Sequence, residues 1–397
     1  MSSLRNQWAL ARALARHPQI LRAGPAVNLY MLRYLRKFRP TVVGGRVIVH
    51  SHLPPLNSAA HRRFVDEHLL ARGAGPSHAQ IALTNACPQN CGYCYNKGRS
   101  GAVMDTPTIT RVIAELKGLG VFWLGLTGGE PLLNRDIVRI VANASRGCAV
   151  KLFTTGSTLT PGLAAALRDA GLFSVSVSLD HWREPDHDAA RGTPGAFREA
   201  LRAIEIFRST EGLHVGVSSV LTREMILTGQ VEELLAFLDG LDIHEAWLSE
   251  VKPSHPALWD RDLVITEGER RTLAALQDRR NRRGRLTVNY LGHFEGREHF
   301  GCNAGCKMVY VDAFGDVGPC VFVPLNFGNV RERPVREIIA DLRSRFPGEE
   351  SCFINRNYGR LAGAAGGRVP LDRAASEQAL RGVAFGPPSR FFAILKK

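Results

Sequence analysis

The sequence runs to 397 residues with 45% apolar content and a formal net charge of +14, which suits a large packed core and excludes a disordered chain. No uninterrupted apolar run approaches the ~20 residues needed to span a bilayer, and the start lacks the compact apolar core of a secretory signal, so a cytoplasmic protein is expected. Eight cysteines in a reducing compartment point to metal ligation rather than disulfides.

Residues 1 to about 40 read as two helices separated by His17-Pro18 and Gly24-Pro25. On a helical wheel Leu4, Trp8, Leu10 and Leu14 share one side of the first, opposite Arg5, Arg12 and Arg16. The second, Val27 to Phe38, is less cleanly divided. Between Met1 and Val65 stand eleven Lys or Arg and no acidic residue. That asymmetry predicts a negatively charged partner: an anionic membrane surface met through residues 1–45, which would make the protein peripheral on the inner face, or an acidic macromolecule. No nucleic-acid partner is expected. The alternative is a helical cap packed on the domain that follows, with its arginines in water. His50 and His52, two apart on an extended piece, predict a structural role rather than a metal pair.

From Ala79 the chain alternates strand-like and helical runs, the signature of βαβ units and a parallel sheet. Strands are predicted at 79–83, 121–127, 149–154, 173–179, 214–221 and 245–251, with helices near 108–119, 134–145, 161–170, 195–210, 231–238 and 267–283. After the first strand come Cys87, Cys91 and Cys94 at a C-x3-C-x2-C spacing. Three thiolates on one short loop suit an iron–sulfur cubane and leave one iron without a protein ligand. Zinc would want a fourth Cys or His nearby, and none follows Cys94 closely. After the second strand stands Gly128-Gly129-Glu130-Pro131.

With these two motifs in this order, the chain resembles the radical S-adenosylmethionine (SAM) family, whose open iron chelates the amino and carboxylate groups of SAM. The resemblance implies an α/β fold built on a partial (β/α)6 barrel with its chemistry at the C-terminal strand ends. It also implies SAM contacts from Tyr93, from Gly128, Gly129 and Glu130, from Thr155, from Ser178 and Arg191, and from Val220 and Leu221 beside the adenine. Thr154-Thr155-Gly156 stands where many relatives have Thr-Asn-Gly. After residue 285 the pattern changes to Cys302, Cys306, Gly315, Cys320 and Cys352. This resembles the branch with a SPASM or twitch-type C-terminal extension, and implies one auxiliary 4Fe-4S cluster on those four cysteines. A zinc site on the same four is the alternative. The domain reading is 1–78 basic helical segment, 79–285 barrel, 286–355 auxiliary domain and 356–397 a basic, loop-rich tail.

The chemistry so implied is reductive cleavage of SAM at the first cluster to a 5′-deoxyadenosyl radical, which takes a hydrogen atom from an unactivated carbon. An external electron donor such as flavodoxin or ferredoxin would supply the electron, and the auxiliary cluster would transfer electrons. Three functions are weighed: an enzyme for a lipid-like or isoprenoid substrate at the membrane, a peptide or protein maturase, and a non-catalytic iron–sulfur protein.

Overall fold

The computed structural model describes residues 8, 11–13, 15, 18–73, 75–365 and 369–395. Its centre is a nine-stranded sheet of β1 (His78–Ala82), β2 (Trp123–Thr127), β3 (Ala149–Thr154), β4 (Ser174–Ser178), β5 (His214–Leu221), β6 (Glu245–Glu250), β7 (Thr287–Tyr290), β8 (Met308–Val311) and β9 (Val317–Gly318). The order across the sheet is β9-β8-β1-β2-β3-β4-β5-β6-β7. Neighbours are parallel except β8 and β9. This is the parallel sheet that the alternation predicts and the α/β partial barrel that the resemblance implies. The sheet, however, runs past residue 285: β7 adds to one edge, and β8, from the cysteine-rich segment, pairs with β1 at the other.

Side-chain alternation along the strands gives the two faces opposite characters. Ala79, Ile81, Leu124, Leu126, Val150, Leu152, Val175, Val177, Val215 and Val217 are 0–1% exposed in the core shared with the helices. The intervening residues turn inward and are polar or aromatic, among them Gln80, Thr127, Phe153, Ser178 and Trp247. The connecting helices start where side-chain caps stop the preceding loop: Asp105 accepts from the Thr108 N–H at 2.9 Å and Thr160 from the Leu163 N–H at 3.2 Å. Thr266 and Glu269 form a capping box on the helix Glu267–Arg283.

The N-terminal ends of the strands are closed by residues 50–52. Glu245, 1% exposed, accepts from the Ser51 N–H at 2.7 Å and hydroxyl at 2.9 Å. Lys151 donates to the same hydroxyl at 2.6 Å, and Trp123 Nε1 to the Ser51 carbonyl at 2.8 Å. His52 stacks on Trp247 with ring centres 3.7 Å apart. The two histidines are therefore packing and hydrogen-bonding residues of a barrel floor.

The helix Pro25–Leu35 buries Val27, Tyr30, Met31, Tyr34 and Leu35. Tyr30 meets Phe391 at 5.2 Å and Tyr34 meets Phe300 at 4.9 Å between ring centres. The face bearing these residues is thus spent on the protein itself, as the packing alternative expects, while Leu29 and Leu32 of the same helix stay 48% and 43% exposed. In the first predicted helix Trp8 is 70% exposed, while Leu4, Leu10, Leu14, Arg5 and Arg16 lie outside the described residues. Among the described residues no helix is long and apolar enough to cross a membrane. The predicted loop-rich tail also differs from the structure: it forms helices at Phe353–Ala365, Arg373–Leu380 and Arg390–Leu395. Asp372 caps the second by accepting from the Ala375 N–H at 2.9 Å.

Burial pushes His50, His68, His78 and His187 down to about 4. An unfolded chain takes up these protons near pH ~6.5 and the folded one only near 4, so acid favours unfolding across that window. The urea midpoint of the protein is expected to be flat above pH ~7 and to fall between pH ~6.5 and ~5. A midpoint unchanged over that range would contradict the buried, neutral imidazoles.

Candidate active site

The loop after β1 carries Cys87, Cys91 and Cys94, and all three line one cavity of about 510 Å3 that runs from His50, His52 and Ser77 at the barrel floor to the C-terminal strand ends. Neighbouring backbone fixes the loop. The Gly129 N–H donates to the Thr84 carbonyl and the Glu130 N–H to the Ala86 carbonyl, each at 2.7 Å. A Cβ at Gly128 would come within 2.4 Å of Thr84 O, and one at Gly129 within 2.1 Å of Ala86 O. Gly128 also has φ +129°, so the Gly-Gly pair is needed to seat the cysteine loop. From the other side Arg99, just past the loop, pairs with Asp312 at 3.0 Å, both almost fully buried.

Glu130 does not reach the cavity. Its side chain is 0% exposed and turned into the protein, accepting from the Leu132 N–H at 2.9 Å and from the Thr154 hydroxyl, Thr155 hydroxyl and Thr155 N–H at 2.6 Å each. Four donors leave the carboxylate no capacity for a ligand, so its work is to tie the β2 turn to the β3 turn. Leu221 is likewise outside. On β5 it follows Val220, which lines the cavity, and strand alternation sends Leu221 to the helix-side core at 0% exposure. Tyr93, Gly128, Gly129, Thr155, Ser178, Arg191 and Val220 do line the cavity together.

Asp180 organises this half of the site. Its Oδ1 accepts from the Val220 N–H at 2.8 Å. Its Oδ2 meets Arg191 Nε at 2.8 Å and accepts from the Tyr93 hydroxyl. The Arg191 guanidinium lies 5.7 Å from the Tyr93 ring centre and 3.8 Å from Cys91 Sγ. The helix Glu184–Arg191 that delivers it ends at Gly192 in the left-handed region.

The same cavity is lined by Cys302, Cys320 and Cys352. Cys306, on the turn that begins at Cys302, does not line it. Beside Cys352 lies a buried charged group that sequence reasoning missed: Lys252, Glu250, Glu295 and Arg270. Burial alone would raise the Glu250 carboxyl, but Lys252 and Arg270 hold it down at about 2. Between the cysteines and the N-terminal helix the cavity is walled by Met31, Tyr34, Phe300, Phe391, Phe392 and Leu395.

Burial pushes the Cys87 thiol up to about 11 and Cys320 to about 12, and raises Cys94, Cys302 and Cys352. Bare, these sulfurs keep their protons, and metal loading must release them. Among the described residues no three His, Cys, Asp or Glu side chains converge on one point as a single metal ion requires. Both sets consist of thiols alone, the donor chemistry that iron–sulfur clusters take.

The family model of the radical SAM superfamily matches residues 81–239, and that of the SPASM iron–sulfur cluster-binding domain matches residues 302–354. The chain belongs to the radical SAM superfamily. Among curated relatives, the AdoMet-dependent heme synthase of Methanosarcina barkeri is 29% identical over 292 residues, 68% of this chain and 84% of the relative. The PqqA peptide cyclase of Methylocella silvestris is 30% identical over 275 residues, 64% and 72% of the two chains. The mycofactocin maturase of Mycolicibacterium smegmatis is 30% identical over 258 residues, 60% and 63%. The Streptococcus suis SuiB structure bound to precursor peptide SuiA has TM-score 0.58 at 16% identity, covering 71% of this chain and 70% of that one. The radical SAM protein described here is thus an enzyme. Its cofactors are SAM with a 4Fe-4S cluster and, through the SPASM domain, auxiliary iron–sulfur.

Proposed function

We propose that this radical SAM enzyme is a peptide or protein maturase, taking a hydrogen atom from an unactivated carbon of a polypeptide substrate. The observation that carries this reading is the similarity to the PqqA peptide cyclase over 275 residues and to the mycofactocin maturase over 258. The packed helix Pro25–Leu35 weighs against a substrate drawn from the membrane surface.

When bound, SAM and the reduced cluster supply the 5′-deoxyadenosyl radical; the chain supplies position and a dry cavity. Cys87, Cys91 and Cys94 would hold the first cluster, and Cys302, Cys306, Cys320 and Cys352 the auxiliary one. Arg191 offers a cation to the SAM carboxylate. Ser178 and Thr155 offer hydroxyls from adjacent strand ends, and Val220 would pack by the adenine. With Cys87, Cys91 and Cys94 and three of the four auxiliary thiols, Cys302, Cys320 and Cys352, on one cavity, the reacting carbon would lie between the radical source and an electron-transfer site. An external one-electron donor such as flavodoxin or ferredoxin completes the cycle.

Asp180 positions Arg191, Tyr93 and Val220 at once. Asp180→Asn is therefore expected to weaken SAM binding about tenfold, ~1.4 kcal/mol, in anaerobic equilibrium dialysis. Undiminished binding would contradict Arg191 as the carboxylate anchor.

A second reading, a compact ring-bearing molecule, is favoured by the aromatic wall of Tyr34, Phe300, Phe391 and Phe392 and by the heme-synthase relative. Co-expression with each short reading frame flanking the gene, followed by mass spectrometry, decides between them. A peptide that loses hydrogen only with the intact enzyme supports the maturase. Unmodified peptides, with 5′-deoxyadenosine formed in step with consumption of an aromatic small molecule from extract, would overturn it.

A further inference from the structure

The auxiliary half of the cavity contains a charged group that cluster ligation does not require. Lys252, two residues past Glu250 at the end of β6, has a fully buried side chain whose Nζ lies 2.9 Å from Glu250 Oε1 and 2.8 Å from Glu295 Oε2. The same Nζ donates to Cys352 Sγ at 3.3 Å. Arg270, from the helix Glu267–Arg283, closes on Glu250 Oε1 at 2.7 Å. Asn355, three residues beyond Cys352, reaches the same oxygen at 3.4 Å. Two cations balance two carboxylates, so the group is buried without net charge. Of the four, Lys252 is the one that donates a hydrogen bond to the sulfur.

We propose that Lys252 sets the reduction potential of the auxiliary iron–sulfur site, its ammonium raising the potential through the Cys352 sulfur. This rests on the reading of Cys302, Cys306, Cys320 and Cys352 as the auxiliary ligands. Reduction adds one negative charge to a centre already made negative by its thiolates. A cation in contact with a ligand sulfur, away from water, stabilises that added charge. Glu295 works against it, because its carboxylate competes for the same ammonium. Replacing the two neighbours must therefore move the potential in opposite directions, which a merely structural salt bridge would not do. Raised in this way, the auxiliary site is biased to accept an electron from the substrate side of the cavity.

The test uses the full-length chain with Cys87, Cys91 and Cys94 all changed to alanine, so that only the auxiliary site can load. After anaerobic reconstitution, the midpoint potential is read by redox titration of the reduced cluster's paramagnetic signal. Lys252→Gln is expected to lower the potential, Lys252→Arg to stay near the parent, and Glu295→Gln to raise it. Equal potentials in all three, or shifts of the same sign for Lys252→Gln and Glu295→Gln, would overturn the proposal. Where Lys252→Gln loads no iron, Lys252→Met combined with Glu295→Gln decides: a potential below that of Glu295→Gln alone supports the role and an equal or higher one removes it. A parent that holds zinc, or no metal, instead of about four irons overturns the cluster assignment and the proposal with it. That failure is told apart by the metal content.

Discussion

Changing Cys87, Cys91 and Cys94 together to alanine is expected to abolish reductive cleavage of SAM, with 5′-deoxyadenosine falling to the level of a protein-free control. The three thiols are the only cysteines on the loop after β1, and that loop is seated by backbone bonds to Gly129 and Glu130 rather than by the sulfurs. The scaffold should therefore persist while the cluster is lost, because a cubane with no thiolates on its loop has nothing to bind it. The measurement is anaerobic turnover with dithionite and chromatographic quantitation of 5′-deoxyadenosine. Continued cleavage in the triple variant would remove these cysteines from the chemistry.

The second large effect is on stability. Arg99 and Asp312 pair at 3.0 Å with side chains 5% and 1% exposed, joining the segment after the cysteine loop to the end of β8. Arg99→Met leaves Asp312 buried with no cation, which should cost about 3–5 kcal/mol, a large share of a typical total of roughly 5–15 kcal/mol. Asp312→Asn keeps the Oδ1 acceptor that holds the Phe314 and Asp316 N–H groups at 2.9 and 3.0 Å while removing the charge. The double variant Arg99→Met with Asp312→Asn is thus expected to recover much of the loss in urea unfolding. A single Arg99→Met with an unshifted midpoint would show that this ion pair does not join the two segments.

Much of the fold was readable because βα alternation is carried by local periodicity. All six predicted barrel strands form, with ends shifted by two residues or fewer. The strands that extend the sheet, Thr287–Tyr290 and Met308–Val311, are four residues each, too short to carry a period, and their partners are distant in sequence. In the site, the side chain of Leu221 faces the helix-side core rather than the cavity, and the signal for that was present: Ser218 and Val220 set the inward parity, and Leu221 breaks it. Glu130 was read as a ligand group because its neighbours are. That its four donors come from residues 132, 154 and 155 is a tertiary fact. The Lys252 group was invisible for the same reason, since its members at 250, 252, 270, 295 and 352 meet only on folding. The basic N-terminus carries two readings at once. Arginine opposite apolar residues describes a helix on a membrane and a helix on a protein equally well; Phe300 and Phe391, hundreds of residues away, account for the helix Pro25–Leu35, while Trp8 of the first is 70% exposed.

The central claim is that two separate sets of cysteines on one cavity each hold an iron–sulfur cluster. The most direct test is metal and sulfide analysis with Mössbauer spectroscopy of the anaerobically reconstituted protein and two variants. About eight irons per chain are expected in the parent. About four should remain when Cys87, Cys91 and Cys94 are replaced, and about four when Cys302, Cys320 and Cys352 are replaced. Zinc in place of the second four irons, or a parent with only about four that both variants lose together, would contradict the account.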